Sequence, residues 1–178
     1  GNYSEAISDF RKAVKGLILS IPERVKGNNA GFYYNRGIDK FNAGNYSEAI
    51  SDFSKAIKID PKFVDAYVFR GYITFDLKEY YGAISDYNKA IEINPKYARP
   101  YYNRGIAKKK LGDYSGAISD FSKAIKIENH VDAYVHRALI KNEQLQDPYG
   151  AISDYNKAIE INPKYALPYY NRGIAVLS

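Results

Sequence analysis

The chain has 178 residues, no cysteine and no methionine, and 26 Lys and Arg against 20 Asp and Glu, for a formal charge of +6. Without cysteine there are no disulfides and no thiolate metal sites, and His130 and His136 are too few imidazoles for a structural metal, so no cofactor is expected. The longest apolar run, Gly16 to Ile21, is far too short to span a bilayer and lacks signal-peptide flanks, so no membrane partner is expected and the chain reads as soluble and, by default, cytoplasmic.

The first ten residues, GNYSEAISDF, return at Gly44 to Phe53, and the chain lacks an initiator methionine, which together suggest a fragment of something longer. The strongest internal copy is Tyr81 to Ala107, which recurs at Tyr149 to Ala175 with Arg99 replaced by Leu167 as the one change in 27 residues. Self-similarity of this kind marks a repeat architecture, in which each unit buries its apolar face against its neighbour. Half of the basic residues belong to the pattern, namely Lys12, Lys55, Lys89, Lys123 and Lys157, then Lys62, Lys96 and Lys164, then Arg36, Arg70, Arg104, Arg137 and Arg172. The charge is therefore dispersed, and nucleic acid is the disfavoured alternative partner. Lys108, Lys109 and Lys110 form the one dense cluster, a candidate anionic-partner site.

Each unit contains two amphipathic segments. In the one termed B, Ala83, Ile84, Tyr87, Ala90 and Ile91 share a helical face, and the alanines recur every 34 residues as Ala49, Ala83, Ala117 and Ala151 and as Ala56, Ala90, Ala124 and Ala158. The aromatic between them is Phe10, Phe53, Tyr87, Phe121 or Tyr155. Pro61, Pro95 and Pro163 close B. The segment termed A follows, with Gly37, Gly71, Gly105 and Gly173 at one position and Ala138 in the fourth copy, which suggests close backbone approach to a neighbouring helix. Gly44-Asn45 and Gly112-Asp113 supply a C-terminal glycine followed by an N-capping side chain, and Asp147-Pro148 supplies a cap and first-turn proline.

In chain order the expectation is B from Asn2 to Leu19, A from Ala30 to Ala43, B from Tyr46 to Ile59, A from Val64 to Leu77 and B from Tyr80 to Ile93. It continues with A from Ala98 to Leu111, B from Tyr114 to Ile127, A from Asp132 to Gln144, B from Pro148 to Ile161 and A from Ala166 to Val176, about ten helices in all. The units are then residues 30–63, 64–97, 98–130 and 131–165, flanked by an unpaired B helix with a lengthened junction in 1–29 and an unpaired A helix in 166–178, all in a single solenoid. Two irregularities break the period. Ala6 to Ala49 spans 43 residues, lengthening the first junction around Pro22, and the turn Ile127 to His130 lacks its proline and one residue.

This 34-residue helix-turn-helix unit, with Gly in A, two alanines around an aromatic in B and a closing Pro, resembles the tetratricopeptide repeat. The tryptophan that some members carry early in A is here Tyr67, Tyr101, Tyr134 or Tyr169. The resemblance implies an all-α, right-handed superhelical solenoid of antiparallel helix pairs, whose A helices line a concave groove holding a peptide or protein segment. It implies a protein-interaction scaffold and not an enzyme. No nucleophile-base arrangement or glycine-rich phosphate loop argues otherwise.

By spacing, the groove face comprises Tyr34, Asn35, Ile38, Phe41 and Asn42, then Asp65, Phe69, Tyr72, Phe75 and Asp76, then Arg99, Tyr102, Asn103, Ile106, Lys109 and Lys110. The fourth copy adds Asp132, His136, Leu139, Asn142 and Glu143, and the last adds Tyr170, Asn171 and Ile174. Aromatic faces there supply contact area and Asn side chains bond a ligand backbone; packing between neighbouring A helices is the alternative use. The Lys and Asn clamp by which some members hold a chaperone's carboxyl terminus is replaced by Tyr34 and Ile38 or Tyr102 and Ile106, so no clamp is expected. Arg36, Arg70, Arg104 and Arg137 are expected to pair with Asp52, Asp86, Asp120 and Asp154, and so to be unavailable to ligands. A head-to-tail contact between Gly1 to Leu19 of one copy and Ala166 to Ser178 of another is a further expectation.

Overall fold

The computed structural model describes residues 29–177. The described helices are α1 (Ala30–Asn42), α2 (Tyr46–Ile59), α3 (Val64–Asp76), α4 (Tyr80–Ile93), α5 (Ala98–Lys110), α6 (Tyr114–Glu128), α7 (Val131–Leu145), α8 (Pro148–Ile161) and α9 (Ala166–Leu177), and no strand occurs among the described residues. Odd-numbered helices are of type A and even-numbered ones of type B. The expected first B helix and its long junction lie outside the described residues. The described residues divide into two compact units, the first ending at Ala66 and the second beginning at Tyr67.

The turns explain where the helices stop. Gly44 and Gly112 adopt φ of +78° and +80°, the left-handed conformation that a residue without Cβ enters at least cost. Asp113 and Asp147 then cap the next helix, accepting from the backbone N–H of Gly116 at 2.9 Å and Gly150 at 2.8 Å. Asn45, expected to do the same, makes no side-chain cap bond. The B helices α2, α4 and α8 end two residues before Pro61, Pro95 and Pro163, and Asp60, Asn94 and Asn162 accept from the N–H of Lys62, Lys96 and Lys164. Where that proline is missing, α6 runs on to Glu128 and is turned off by Asn129 at φ 52°; α7 starts at Val131, one residue earlier than the spacing indicates.

In the first unit, α1 packs on α2 around Phe53, which is completely buried between Ala49 and Ala56. A Cβ added to Gly37 would lie 2.8 Å from the Phe53 ring. The second unit repeats the arrangement, with Gly71 over Tyr87 at 2.8 Å and Gly105 over Phe121 at 2.7 Å. The recurring glycine thus admits the aromatic ring of the following B helix, where close approach of another backbone was expected. Within the second unit, α5 packs with α6 and α7 with α8, and successive hairpins stack through α4 with α5, α6 with α7 and α8 with α9.

Every expected ion pair forms. Arg36, Arg70, Arg104 and Arg137 each direct Nε and one terminal nitrogen to both oxygens of Asp52, Asp86, Asp120 and Asp154, at 2.5–2.9 Å. The aspartates are buried, so bidentate pairing is what allows their charge to remain there. In the first unit this pairing with the Arg36 guanidinium, offset in part by burial, holds the Asp52 carboxyl below its ordinary range. Lys108 and Lys141 add a second cation to Asp120 and Asp154, both at 2.9 Å. The remaining nitrogens of Arg104 and Arg137 reach back to Asn88 at 2.5 Å and Ser122 at 2.7 Å, tying one hairpin to the one before it. Asp120→Asn should cost about 2 kcal/mol in urea-unfolding stability: an uncompensated guanidinium costs more, but the amide keeps one acceptor and Arg104 can partly reach water. A change below about 0.5 kcal/mol, the ordinary scatter of surface substitutions, would make these pairs ornamental.

Candidate binding pocket

Within the second unit the A helices bring one set of side chains to a common hollow. Tyr72 and Phe75 come from α3, Tyr102, Asn103 and Ile106 from α5 and His136 from α7, while Tyr87 of α4 reaches it from the core. Positions 72 and 75, 102 and 106, and 103 and 106 are each three or four residues apart, about one helical turn, which is why they share a face. The hollow has a volume of about 220 Å³ and is lined mainly by apolar atoms.

Tyr102 is its central wall. Its ring stacks on His130 at 4.3 Å and lies 6.0 Å from Phe121 and 5.9 Å from His136, and burial raises its phenol well above the ordinary range. His136 is pushed down to about 4, first by burial and then by Lys109 and His130, with Asp132 pulling the other way. The ring is therefore neutral at pH 7. Its Nδ1 and the Oδ1 of Asn142 are buried and find no hydrogen-bond partner among the described residues. Asp132 interacts with the Tyr165 hydroxyl, which helps burial to raise that phenol, and burial also raises the Asp76 carboxyl. No side chain lining the hollow is charged at pH 7.

Of the residues proposed from spacing, Tyr72, Phe75, Tyr102, Asn103, Ile106 and His136 meet here. Phe69 is half-buried on α3; Arg99 is exposed, Lys109 half-buried, Tyr170 70% exposed and Asn171 half-buried, and none of these five lines the hollow. In the first unit Tyr34 packs between Phe53 at 5.8 Å and Phe63 at 4.8 Å, Phe41 lies 5.8 Å from Tyr46, Asn35 is exposed and Asp65 half-buried. Two contributors escaped the spacing argument. Tyr87 belongs to a B helix and reads as pure core, and His130 sits in a turn, where only its cap to the Ala133 N–H marks it. The lysine cluster is also weaker than its sequence suggests, because Lys108 is engaged by Asp120.

A second hollow, of about 310 Å³, opens in the first unit among Arg36, Lys40, Glu48, Ser51, Asp52 and Lys55. Its charges compensate one another, since Arg36 pairs with Asp52 and Lys40 with Glu48. Among the described residues no group of three or more His, Cys, Asp or Glu side chains is placed to hold a metal ion. No described helix is long and apolar enough to cross a membrane.

Hairpins with a glycine over an aromatic ring, two flanking alanines and an internal Arg–Asp pair define an all-α helical-hairpin repeat. The family model described as "TPR repeat" matches residues 71–112 and 146–178, and that described as "Tetratricopeptide repeat" matches 30–63 and 98–130; the chain belongs to the tetratricopeptide repeat family. The solved structure of MamA protein is similar at 27% identity, with a TM-score of 0.77 over 84% of this chain and 81% of that one. The first TPR of Spaghetti (RPAP3), solved with the HSP90 peptide SRMEEVD, is 29% identical, with a TM-score of 0.62 over 64% of this chain and 91% of that one. A tetratricopeptide repeat protein from Parabacteroides merdae shares the fold at 21% identity, with a TM-score of 0.75 over 82% of this chain and 58% of that one. No curated protein sequence matches the chain.

Proposed function

We propose that the chain is a non-catalytic scaffold that holds an extended peptide or protein segment along the A-helix face of residues 67–177. One apolar or aromatic side chain of the segment enters the hollow, and Asn103 bonds the segment's backbone. The observation that carries this reading is the hollow itself, with aromatic walls and an amide at its edge. At about 220 Å³ it is smaller than the roughly 300–1,000 Å³ of small-molecule sites, and it suits a single side chain.

The first TPR of RPAP3 is bound to a peptide, there an acidic one, which supports a peptide as the kind of partner. An acidic terminus is a poor fit for this hollow. Arg104 and Lys108 are engaged by Asp120 and Arg137 and Lys141 by Asp154, and the hollow's own wall is uncharged, with Lys109 the positive charge that acts on His136.

The test is fluorescence anisotropy with a panel of labelled peptides whose central residue is Phe, Leu, Tyr, Asp or Lys. Apolar-centred peptides should bind, and Tyr102→Ala with Asn103→Ala should weaken them about thirtyfold, as the loss of a binding hot spot does. Tyr72→Ser, at a more exposed wall, should weaken them less while leaving the circular dichroism spectrum unchanged. Preference for Asp-centred peptides, or equal binding by the double variant, would sink the proposal. Retention of nucleic acid with a steep salt dependence would favour the alternative partner.

A further inference from the structure

We propose that the segment held at the hollow carries a basic, an acidic and a second basic residue, each spaced three positions from the next, with its apolar anchor beside the acidic one. The proposal rests on the hollow being the anchor's seat and adds which charges surround that anchor. Helical spacing sets a charge beyond each wall of the hollow. Asp76 follows Tyr72 by four residues on α3, and Lys110 follows Ile106 by four on α5, so each shares the face of a residue that lines the hollow. On α7, Glu143 follows Leu139 by four and His136 by seven, again on one face. Asp76 and Lys110 are 34 residues apart, and Glu143 comes 33 later because the turn at 127–130 lacks one residue, so all three hold the same place in successive units. They form a row across the A helices that reads acid, base, acid.

The protein itself leaves this row unanswered. Asp76, Lys110 and Glu143 are exposed and make no ion pair among the described residues, whereas Lys108 and Lys141 are held by Asp120 and Asp154. No cation lowers the Asp76 carboxyl, and partial burial raises it. Helix stability does not account for the acids either. Asp76 is the last residue of α3 and Glu143 lies in the last turn of α7, neither turn holds a basic residue, and the carbonyl end of a helix repels a carboxylate. A basic side chain brought over each acid relieves both, and an acidic one answers Lys110. The spacing follows from two repeats. Neighbouring packed helices lie roughly 8–10 Å apart. A polyproline II segment turns once in three residues and advances about 9 Å in doing so, so every third side chain meets the next helix of the row. A β-strand, with its two-residue alternation, would turn every second charge away. The acidic residue stays at the rim over Lys110, and its apolar neighbour enters the hollow.

The test is fluorescence anisotropy at low ionic strength, where surface charges are least screened. The labelled peptides have equal length, keep one Phe beside the central position, and differ only in the charged triad: basic–acidic–basic, acidic–basic–acidic, or Gln at all three places. Because the chain carries a net charge of +6, unspecific attraction favours the acidic–basic–acidic peptide, so the expected preference runs against it. The basic–acidic–basic peptide should bind about tenfold tighter than the Gln peptide, as three exposed ion pairs together allow. The acidic–basic–acidic peptide should bind more weakly than the Gln peptide. The triple variant Asp76→Lys, Lys110→Glu, Glu143→Lys should invert that order, which a purely structural role would not do and which also shows that the variant is folded. Equal binding of all three peptides, a preference for the acidic–basic–acidic one, or an order unchanged in the triple variant overturns the charge pattern while the hollow keeps its role. Failure of all three peptides to bind overturns both.

Discussion

Phe121→Ala should remove about 4 kcal/mol of unfolding free energy, the largest loss expected from any single truncation in the second unit. The ring is completely buried, lies 2.7 Å from where a Gly105 Cβ would stand, and stacks 5.8 Å from His136 and 6.0 Å from Tyr102. Burial of that much apolar surface and the cavity left behind act in the same direction, and Phe-to-Ala changes in such sites cost about 3–5 kcal/mol. The helix α6 that carries Phe121 packs on α5 before it and α7 after it, so both hairpins should loosen together. Urea unfolding followed by circular dichroism measures the loss. A change under about 1 kcal/mol would mean that the neighbours collapse into the space, and that the glycine-over-ring contact is not what holds the hairpin.

Acid should destabilise the chain from about pH 6.5 downward, well before its carboxylates protonate. His136 titrates near 6.5 when unfolded and at about 4 when folded, so between those values the unfolded state binds more protons and stability falls as pH falls. The full contribution is present above pH 6.5 and is gone once pH drops through about 4, a total of roughly 3 kcal/mol. Below about pH 4 a separate loss begins as Asp52, whose folded carboxyl lies below its ordinary range, takes up its proton. His136→Phe should flatten the slope between 6.5 and 4, and should stabilise the protein at neutral pH by removing an unpartnered buried nitrogen. Phe69 occupies the equivalent position of the alternate unit, so the ring itself is compatible with the fold. An NMR titration that places His136 above about 6, close to the ordinary imidazole value, would refute the argument.

Much of this architecture can be read directly from the residues. The 34-residue spacing of Ala117, Phe121 and Ala124 and their counterparts sets the buried face of each B helix, because an apolar stripe on a helix leaves one way to bury it. Gly44, Gly112, Asp113 and Asp147 announce the turns through local backbone chemistry, and that chemistry holds with Asn45 as the exception. The Arg–Asp pairs were also legible, since a recurring arginine on a face that must pack needs a recurring acid opposite it.

The hollow was only half legible. Helical spacing places Tyr72, Tyr102, Asn103 and His136 on one side of their helices, but it cannot say which of them meet across three helices. It also cannot separate them from Tyr34, which packs on Phe63, or from Tyr170, which stands in solvent. Tyr87 and His130 join through packing between elements, a property of relative position that no single segment encodes. The same holds for charge. Lys108, Lys109 and Lys110 are one cluster along the chain, and only the fold turns Lys108 toward Asp120, leaves Lys109 to act on His136, and so weakens the cationic patch that the run implied. Repeat length, helix boundaries and internal ion pairs follow from near-neighbour chemistry and lie open in the amino-acid order. The shape, burial and electrostatics of the pocket arise where distant helices converge, and for that the packed molecule is needed.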